Sequence, residues 1–172
     1  DLWRSNCECI QEVLQKSNVD PACIVGLAVT GHGKGLYAWG KDNRPAYKGI
    51  VSTDNRAWQY PDKWKKEGSA DRLYSRLCQK LIPSQQAALL AWLKDNLPEV
   101  YENIRYAFPV KDYIRFRLTG EAHLEATDIS GSGLMNVRDG RFDRELLEAL
   151  GIGEAFDMLA PLCYSSDLCG SV

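Results

Sequence analysis

The stretch CIVGLAVTGHGKGLYAW, residues 23–39, joins two apolar runs through a loop that is rich in glycine. The first run, 23–29, is apolar at almost every position, which is typical of a strand covered by helices on both faces of its sheet. The second run, 36–39, predicts another strand. Because the next connection, a turn at 41–45, is short, 47–52 predicts a third strand that lies antiparallel to the second.

The rest of the chain has mainly the pattern of helices. Apolar side chains recur at helical spacing, or lie between helix-breaking residues, in 1–18, 54–66, 71–81, 84–96, 110–118 and 144–150. Residues 105–108 predict one more short strand, and 125–140 contain many loop-forming residues. The sequence therefore predicts an α/β fold, with a mixed sheet and flanking helices.

The composition is that of an ordinary globular domain. The 172 residues carry 21 basic and 23 acidic side chains, for a net charge of −2, and 45% of the residues are hydrophobic. The chain lacks the basic excess that is usual in proteins that bind duplex nucleic acid or an anionic membrane surface. No apolar run approaches the roughly 18 residues of a membrane-spanning helix. We therefore expect no nucleic-acid partner, no membrane partner and a cytoplasmic location.

Six cysteines lie along the chain at spacings that match no secreted disulfide framework. Cys7 and Cys9 fall on a predicted helix, where their thiols point about 200° apart, and this is poor geometry for sharing one metal ion. The two histidines, His32 and His123, are distant in the sequence. We therefore expect free, buried thiols in a reducing cytosol and no metal site.

The glycine-rich loop, 30–35, is the most unusual segment of the chain. Its alternating glycines allow the backbone to approach a ligand closely, and His32 and Lys34 offer donors to sugar or phosphate oxygens. The loop is not a P-loop, since Lys34 is followed by glycine, and it is not a dinucleotide fingerprint, since a strand follows it. Two interpretations stay open from these residues alone: a ligand-binding loop, or a flexible connection with a solvated lysine.

Two acidic residues, Asp54 and Asp128, have both an ordinary structural interpretation and a functional one. Thr53 or Asp54 is expected to cap the helix that begins there, Asp54 is expected to pair with Arg56, and a substrate contact is the alternative. Lys111 and Asp112 open another helix, where we expect dipole pairing and a solvated lysine. Asp128 lies among serines and glycines, where turn formation is expected and a general base is the alternative.

Five segments of the chain contain recognisable sequence motifs, and the order in which the motifs follow one another is also informative. The most distinctive is FPVKDYIRFRLTGE at 108–121, and the others are IVGLAVTGHGKGLYAW at 24–39, PAYKGIVSTDNR at 45–56, SQQAALLAWLKDN at 84–96 and TDISGSGLMNV at 127–137. Together they resemble the sugar-binding N-terminal domain of the FGGY carbohydrate kinases. Within that family they are most similar to the L-xylulose kinases of the cryptic lyxose pathway, which also carry Gly-Lys-Gly-Leu in the loop.

This resemblance implies a pair of ribonuclease H-like domains, of the actin-like ATPase type, that close over a sugar. Residues 1–172 would then be the part of the first domain that lines the sugar cleft. Family members transfer the γ-phosphoryl group of ATP, with Mg²⁺, to a sugar hydroxyl, here of a ketose such as L-xylulose, a related pentulose or a keto-sugar acid. The resemblance implies substrate-binding roles for Gly33 and Lys34 at the loop tip, for the adjacent His32 and for Ser132.

The same resemblance implies that several parts of the kinase lie outside these residues. The phosphate loop would precede residue 1, and the catalytic aspartate and the nucleotide-binding domain would follow residue 172. We therefore expect no catalytic residue, no ATP and no Mg²⁺ in this chain, and Asp128 is not assigned as the catalytic base. Because phosphoryl transfer needs the missing parts, we expect the chain to be inactive alone.

Two other functions stay open. One is a non-catalytic sugar-binding or regulatory module of the same fold, which would share every residue considered above. The other is an unrelated α/β domain, such as a nuclease-like one, but the chain lacks the clustered acidic metal ligands that such chemistry needs. Without the strands that the resemblance places before residue 1, a sheet edge and an apolar surface would be uncovered. Such surfaces favour self-association, so we expect a homo-oligomer.

Overall fold

The computed structural model describes residues 2–172. The chain divides into two compact units, 1–30 and 31–172. In the first unit, helix α1 spans Leu2–Ser17, as predicted. It ends before Asn18, whose positive φ of 53° is a backbone conformation that asparagine tolerates better than most residues do.

The predicted buried strand at 23–29 is wrong. A 3₁₀ turn occupies Pro21–Cys23, and 24–30 pair as a strand with none of the residues that the structure describes. Val25 is fully exposed, and Ile24 is 49% exposed. An apolar run becomes a strand only where a neighbouring strand satisfies its backbone amides and carbonyls, and composition alone does not supply that neighbour.

The second unit alternates short strands with helices, which confirms the predicted α/β class. Its helices are α2 (Gln59–Lys66), α3 (Ser69–Leu77), α4 (Gln86–Asn96), α5 (Pro98–Asn103), α6 (Val110–Thr119), α7 (Ala126–Ile129) and α8 (Arg144–Ala149). Its strands are β1 (Tyr37–Gly40), β2 (Ile104–Phe108), β3 (Leu124–Glu125), β4 (Met135–Asn136), β5 (Arg141–Phe142) and β6 (Leu162–Cys163). Within residues 2–172, none of the helices combines the length and the apolar character needed to cross a membrane.

The strands form small sheets instead of one mixed sheet. Among the described residues, β1 pairs with β2 and β4 with β5 in antiparallel fashion, while β3 and β6 are parallel. The predicted strand at 47–52 is reduced to a bridge, in which Leu36 and Ile50 exchange backbone hydrogen bonds of 2.8 and 2.9 Å. The predicted antiparallel direction is therefore confirmed, whereas the extended third strand does not form.

Helix α4 lies in the hydrophobic core. Leu89, Leu90 and Leu93 are fully buried, and they belong to one cluster with Leu146 and Leu147 of α8. The nearly continuous apolar sequence of α4 predicts burial on most sides, and the structure confirms it. Helix α4 thus shares its core cluster with Leu36 and Leu134, which lie next to the glycine-rich loop and the turn at 130–132.

Helix α2 begins later than predicted because Asp54 forms a local turn instead of a cap. Its carboxylate accepts hydrogen bonds from the Arg56 amide at 2.9 Å and from the Arg56 guanidinium at 2.8 and 2.9 Å. Such local side-chain bonds compete with helix formation. The predicted ion pair between Asp54 and Arg56 is confirmed, but the predicted cap is wrong.

The six cysteines of the chain are free thiols. Only Cys163 is buried, whereas Cys9, Cys23 and Cys78 are exposed, so the predicted burial of the thiols is wrong for most of them. Local composition indicated no disulfide framework, but it did not indicate which side chains would face the core.

Gly35 fixes the base of the glycine-rich loop. Its φ is +87°, a conformation that L side chains rarely adopt, and a Cβ there would collide with the carbonyl oxygen of Ile50. The Gly35 amide donates a hydrogen bond to the Ser84 carbonyl oxygen at 2.8 Å. The loop is therefore held at its base by backbone contacts that require glycine.

Gly35→Ala should lower the free energy of unfolding by about 2–4 kcal/mol, because the methyl group adds both backbone strain and a steric clash. Urea denaturation followed by circular dichroism measures the change. Gly26→Ala is the matched control, since nothing lies within 4 Å of a Cβ at that position. A Gly35→Ala protein as stable as the wild type would contradict the strained conformation.

Candidate functional site

His32 is held by two hydrogen bonds, one within the loop and one to the strand that follows. Its Nδ1 lies 2.7 Å from the carbonyl oxygen of Lys34, and its Nε2 lies 3.1 Å from the hydroxyl of Tyr37. A carbonyl oxygen only accepts, so Nδ1 carries a proton and donates to Lys34, while Nε2 and the Tyr37 hydroxyl share the second hydrogen bond. His32 therefore links the loop to β1 through Nε2 and stabilises the loop itself through Nδ1.

Lys34 reaches from the loop tip to the turn that follows α7. Its Nζ donates a hydrogen bond to the carbonyl oxygen of Gly131 at 2.6 Å. Burial lowers the pKa of Lys34, and the negative charge of Asp128 opposes this effect. The interpretation of Lys34 as a solvated surface lysine is therefore wrong, since its ammonium has a fixed position in a partly buried site.

Gly33 lies against the carboxylate of Asp128. A Cβ at Gly33 would be 3.2 Å from Asp128 Oδ1, so no side chain stands between the loop tip and this carboxylate. The Asp128 side chain is only 8% exposed, and its Oδ2 accepts no hydrogen bond from any of residues 2–172. Burial raises the pKa of Asp128, and the Lys111 ammonium opposes that rise.

Lys111 is the centre of a buried ion cluster. Its Nζ lies 3.2 Å from Asp112 Oδ1, 3.1 Å from Glu125 Oε2 and 3.7 Å from Asp128 Oδ2. Arg115 places a second cation 3.1 Å from Asp112. The Lys111 side chain is only 14% exposed, so the predicted solvated lysine is wrong. Its charge is tolerated in the interior because the surrounding carboxylates balance it.

Glu125 orients α7 by capping its N-terminus. The carboxylate accepts hydrogen bonds from the Thr127 amide at 2.9 Å, the Thr127 hydroxyl at 2.7 Å and the Asp128 amide at 3.1 Å. Ser165 Oγ donates another at 3.0 Å. Burial raises the pKa of Glu125, but these bonds and the Lys111 ammonium outweigh burial and lower it to about 2. The cap therefore fixes the helix that carries Asp128.

Ser132 lies in a 3₁₀ turn, Ser130–Ser132, and is completely buried. Its Oγ accepts a hydrogen bond from the Leu134 amide at 3.0 Å. The carbonyl oxygen of the preceding Gly131 also accepts from Gln85 Nε2 at 2.9 Å. The structure thus brings the loop tip beside the turn that contains Ser132, while the Ser132 hydroxyl itself stabilises that turn.

The sequence did not indicate that Lys111 is largely buried or that Asp128 lies beside the loop tip. An aspartate between serines and glycines is typical of a turn, and a lysine in the first turn of a helix is usually solvated, so no local signal identifies either residue. The described residues bring together no group of three or more His, Cys, Asp or Glu side chains that could hold a metal ion. What the site offers is an ammonium, a carboxylate and an open backbone at Gly33, which suit a ligand with several hydroxyl groups.

Glu125 should make the stability of the protein depend on pH. Since folding lowers its pKa from 4.5 to about 2, its stabilising effect is complete well above pH 4.5 and is lost as the pH falls toward 2. Between about pH 6 and about pH 3, the free energy of unfolding should fall by about 2 kcal/mol more in the wild type than in Glu125→Gln. Urea denaturation at both pH values measures this difference.

Glu8→Gln is the control, because it removes an exposed carboxylate from α1. This variant should follow the wild-type pH dependence. If Glu125→Gln also follows the wild type, the Glu125 carboxylate does not stabilise the fold in the way that its hydrogen bonds indicate.

Comparison with known proteins identifies relatives that are carbohydrate kinases. A Pasteurella multocida protein, named probable L-xylulose kinase, is 34% identical over 172 residues, which are 100% of this chain and 36% of that protein. The L-xylulose/3-keto-L-gulonate kinase of Escherichia coli is 34% identical over 172 residues, again 100% of this chain and 34% of that protein. The chain therefore spans 34–36% of the length of these relatives.

Solved structures of sugar kinases share the fold. The xylulose kinase of Lactobacillus acidophilus matches with a TM-score of 0.79 and 26% identity, over 91% of this chain and 32% of that chain. The glycerol kinase of Plasmodium falciparum matches with a TM-score of 0.85 and 17% identity, over 99% of this chain and 34% of that chain. These matches confirm the expected fold of the actin-like ATPase class.

The family model described as the N-terminal domain of the FGGY family of carbohydrate kinases matches residues 1–172. This match spans the loop, α6 and α7, so it includes every residue of the candidate site. The chain therefore belongs to the FGGY family of carbohydrate kinases.

Proposed function

We propose that residues 1–172 form the sugar-binding part of an ATP-dependent kinase, which phosphorylates a hydroxyl group of a ketose such as L-xylulose. The observation that carries this proposal is the partly buried Lys34 ammonium, which is held 2.6 Å from the Gly131 carbonyl oxygen beside the open backbone of Gly33. The names of the relatives from Pasteurella multocida and Escherichia coli support L-xylulose as the first substrate to test.

The proposed substrate-binding residues are His32, Gly33, Lys34 and Ser132. An ammonium has three N–H donors, and since Gly131 accepts one, Lys34 can donate another to a sugar oxygen. Gly33 lets the sugar approach the backbone because it has no side chain. His32 keeps the loop in shape, and the turn that contains Ser132 forms the facing wall.

Catalysis is assigned to parts of the protein outside residues 1–172. In this proposal the phosphate loop precedes residue 1, and the catalytic base and the nucleotide-binding domain follow residue 172. ATP and Mg²⁺ are assigned to those parts, as the resemblance to the FGGY kinases implies. What residues 1–172 supply is the position of the sugar, on which phosphoryl transfer depends strongly.

The proposed cellular setting is the cytoplasm, with a small-molecule sugar as the partner and neither nucleic acid nor a membrane bound. The net charge of −2 supports the proposal that neither nucleic acid nor a membrane is bound, and the free thiols support a reducing compartment. The exposed apolar side chains of Ile24, Val25 and Leu27 support self-association into a homo-oligomer.

The full-length polypeptide that contains residues 1–172 should phosphorylate L-xylulose with ATP, and the 172-residue chain alone should not. A coupled assay of ADP formation measures both activities. Sugar binding without phosphorylation by the full-length polypeptide would contradict the kinase and favour a non-catalytic sugar-binding or regulatory module. Activity of the 172-residue chain alone would contradict the placement of the catalytic parts.

Lys34→Ala in the full-length polypeptide should lower kcat/KM for L-xylulose by about 10- to 100-fold, the effect expected for one charge-assisted hydrogen bond. Lys66→Ala is the control, because Lys66 is exposed on α2 and pairs only locally with Asp62. This control should keep the wild-type kcat/KM. An unchanged kcat/KM in Lys34→Ala would remove Lys34 from the sugar site.

A further inference from the structure

Lys34 and Asp128 flank Gly33 from two sides of the candidate site. We propose that Asp128 is a specificity-determining residue, whose carboxylate balances the Lys34 ammonium. The site then accepts neutral hydroxyl and carbonyl groups, and it discriminates against sugars that carry a carboxylate. This inference rests on the proposed function and deepens it, because it chooses between neutral ketoses and keto-sugar acids as substrates.

The carboxylate of Asp128 is directed at the loop tip. Its Oδ1 lies 3.2 Å from the position that a Cβ would take at Gly33, and glycine has no side chain to cover it. The backbone of Gly33 is exposed. A ligand that contacts Gly33 therefore also meets the Asp128 carboxylate.

Asp128 has hydrogen-bonding capacity that the protein does not use. Its side chain is 8% exposed, and Oδ2 accepts no hydrogen bond from any residue that the structure describes. Lys111 stays 3.7 Å from Asp128 and lies closer to Asp112 and Glu125, at 3.2 and 3.1 Å. Oδ2 is fully buried on the side of Lys111, so a ligand hydroxyl at Gly33 would donate to Oδ1 and supply this carboxylate with a hydrogen bond.

The charges of Lys34 and Asp128 act on each other. Burial lowers the pKa of Lys34, and the negative charge of Asp128 opposes this effect. A neutral hydroxy-ketone satisfies both groups, because its oxygens accept from the ammonium and its hydroxyls donate to the carboxylate.

A substrate carboxylate at the same place would meet Asp128 as a like charge. The site is partly buried, so water screens this repulsion only weakly. Repulsion of the wrong ligand is a common source of specificity. The Asp128 carboxylate beside Gly33 therefore favours neutral sugars over sugar acids.

The test compares L-xylulose, a neutral ketose, with the keto-sugar acid 3-keto-L-gulonate as substrates of the full-length polypeptide. The wild type should have the higher kcat/KM for L-xylulose. Asp128→Asn removes the charge with little change of shape, and it should shift the ratio of the two kcat/KM values by about tenfold or more toward the acid. Asp62→Asn, at an exposed position of α2, is the matched control and should keep the wild-type ratio.

Lys34→Gln should move the selectivity in the opposite direction. It removes the cation on the ligand side of Asp128 and leaves Lys111, 3.7 Å from Oδ2, as the remaining one, so the preference for L-xylulose over the acid should increase while kcat/KM falls for both sugars. If circular dichroism shows that Asp128→Asn does not fold, the ratio measured for Lys34→Gln decides the proposal.

The outcomes separate this inference from the proposed function. A wild type that phosphorylates neither sugar overturns the proposed function and this inference with it. An active wild type whose ratio is unchanged by Asp128→Asn and by Lys34→Gln overturns this inference alone. A wild-type preference for the acid also overturns it and leaves the kinase function standing.

Discussion

The Lys111 ammonium, which is buried among the carboxylates of Asp112, Glu125 and Asp128, is the interaction on which the site depends. Removing a lysine from water is costly, and the interior tolerates its charge only where anions and hydrogen bonds replace the lost hydration. The cluster joins α6, β3 and α7, so none of these elements can shift without leaving a buried charge unpaired. It therefore fixes the position of the Asp128 carboxylate.

The glycine-rich loop, which lies next to that carboxylate, is held in place by a separate set of contacts. Gly35 sets its base with a positive φ against the Ile50 carbonyl, and His32 braces its tip against Tyr37. The hydrogen bond from Lys34 to the Gly131 carbonyl then joins residues that lie 97 positions apart in the chain. Two separately supported segments thus meet at one place, which is a suitable basis for holding a small ligand in a defined orientation.

Helices were predictable where the pattern is long and strongly periodic. The sequence indicated α1, α4 and α6 closely, including the end of α6 at Gly120, whose φ of 76° suits glycine. Helix α5 was missed, whereas α8, which is also six residues long, was predicted. The strand expected at 23–29 does not form, because a strand needs a neighbour to pair with and none of residues 2–172 pairs with it.

For the site, the sequence by itself determined the glycine-rich loop, the candidate donors His32 and Lys34, and the order of motifs that resembles the FGGY kinases. These are local properties of the chain: which backbone conformations are allowed, and which polar atoms lie near one another in sequence. That Lys111 is largely buried and that Asp128 faces Gly33 is visible only in the folded chain. The physical reason is that the role of a charge depends on the water and counter-charges around it, and both are set by residues far apart in the chain.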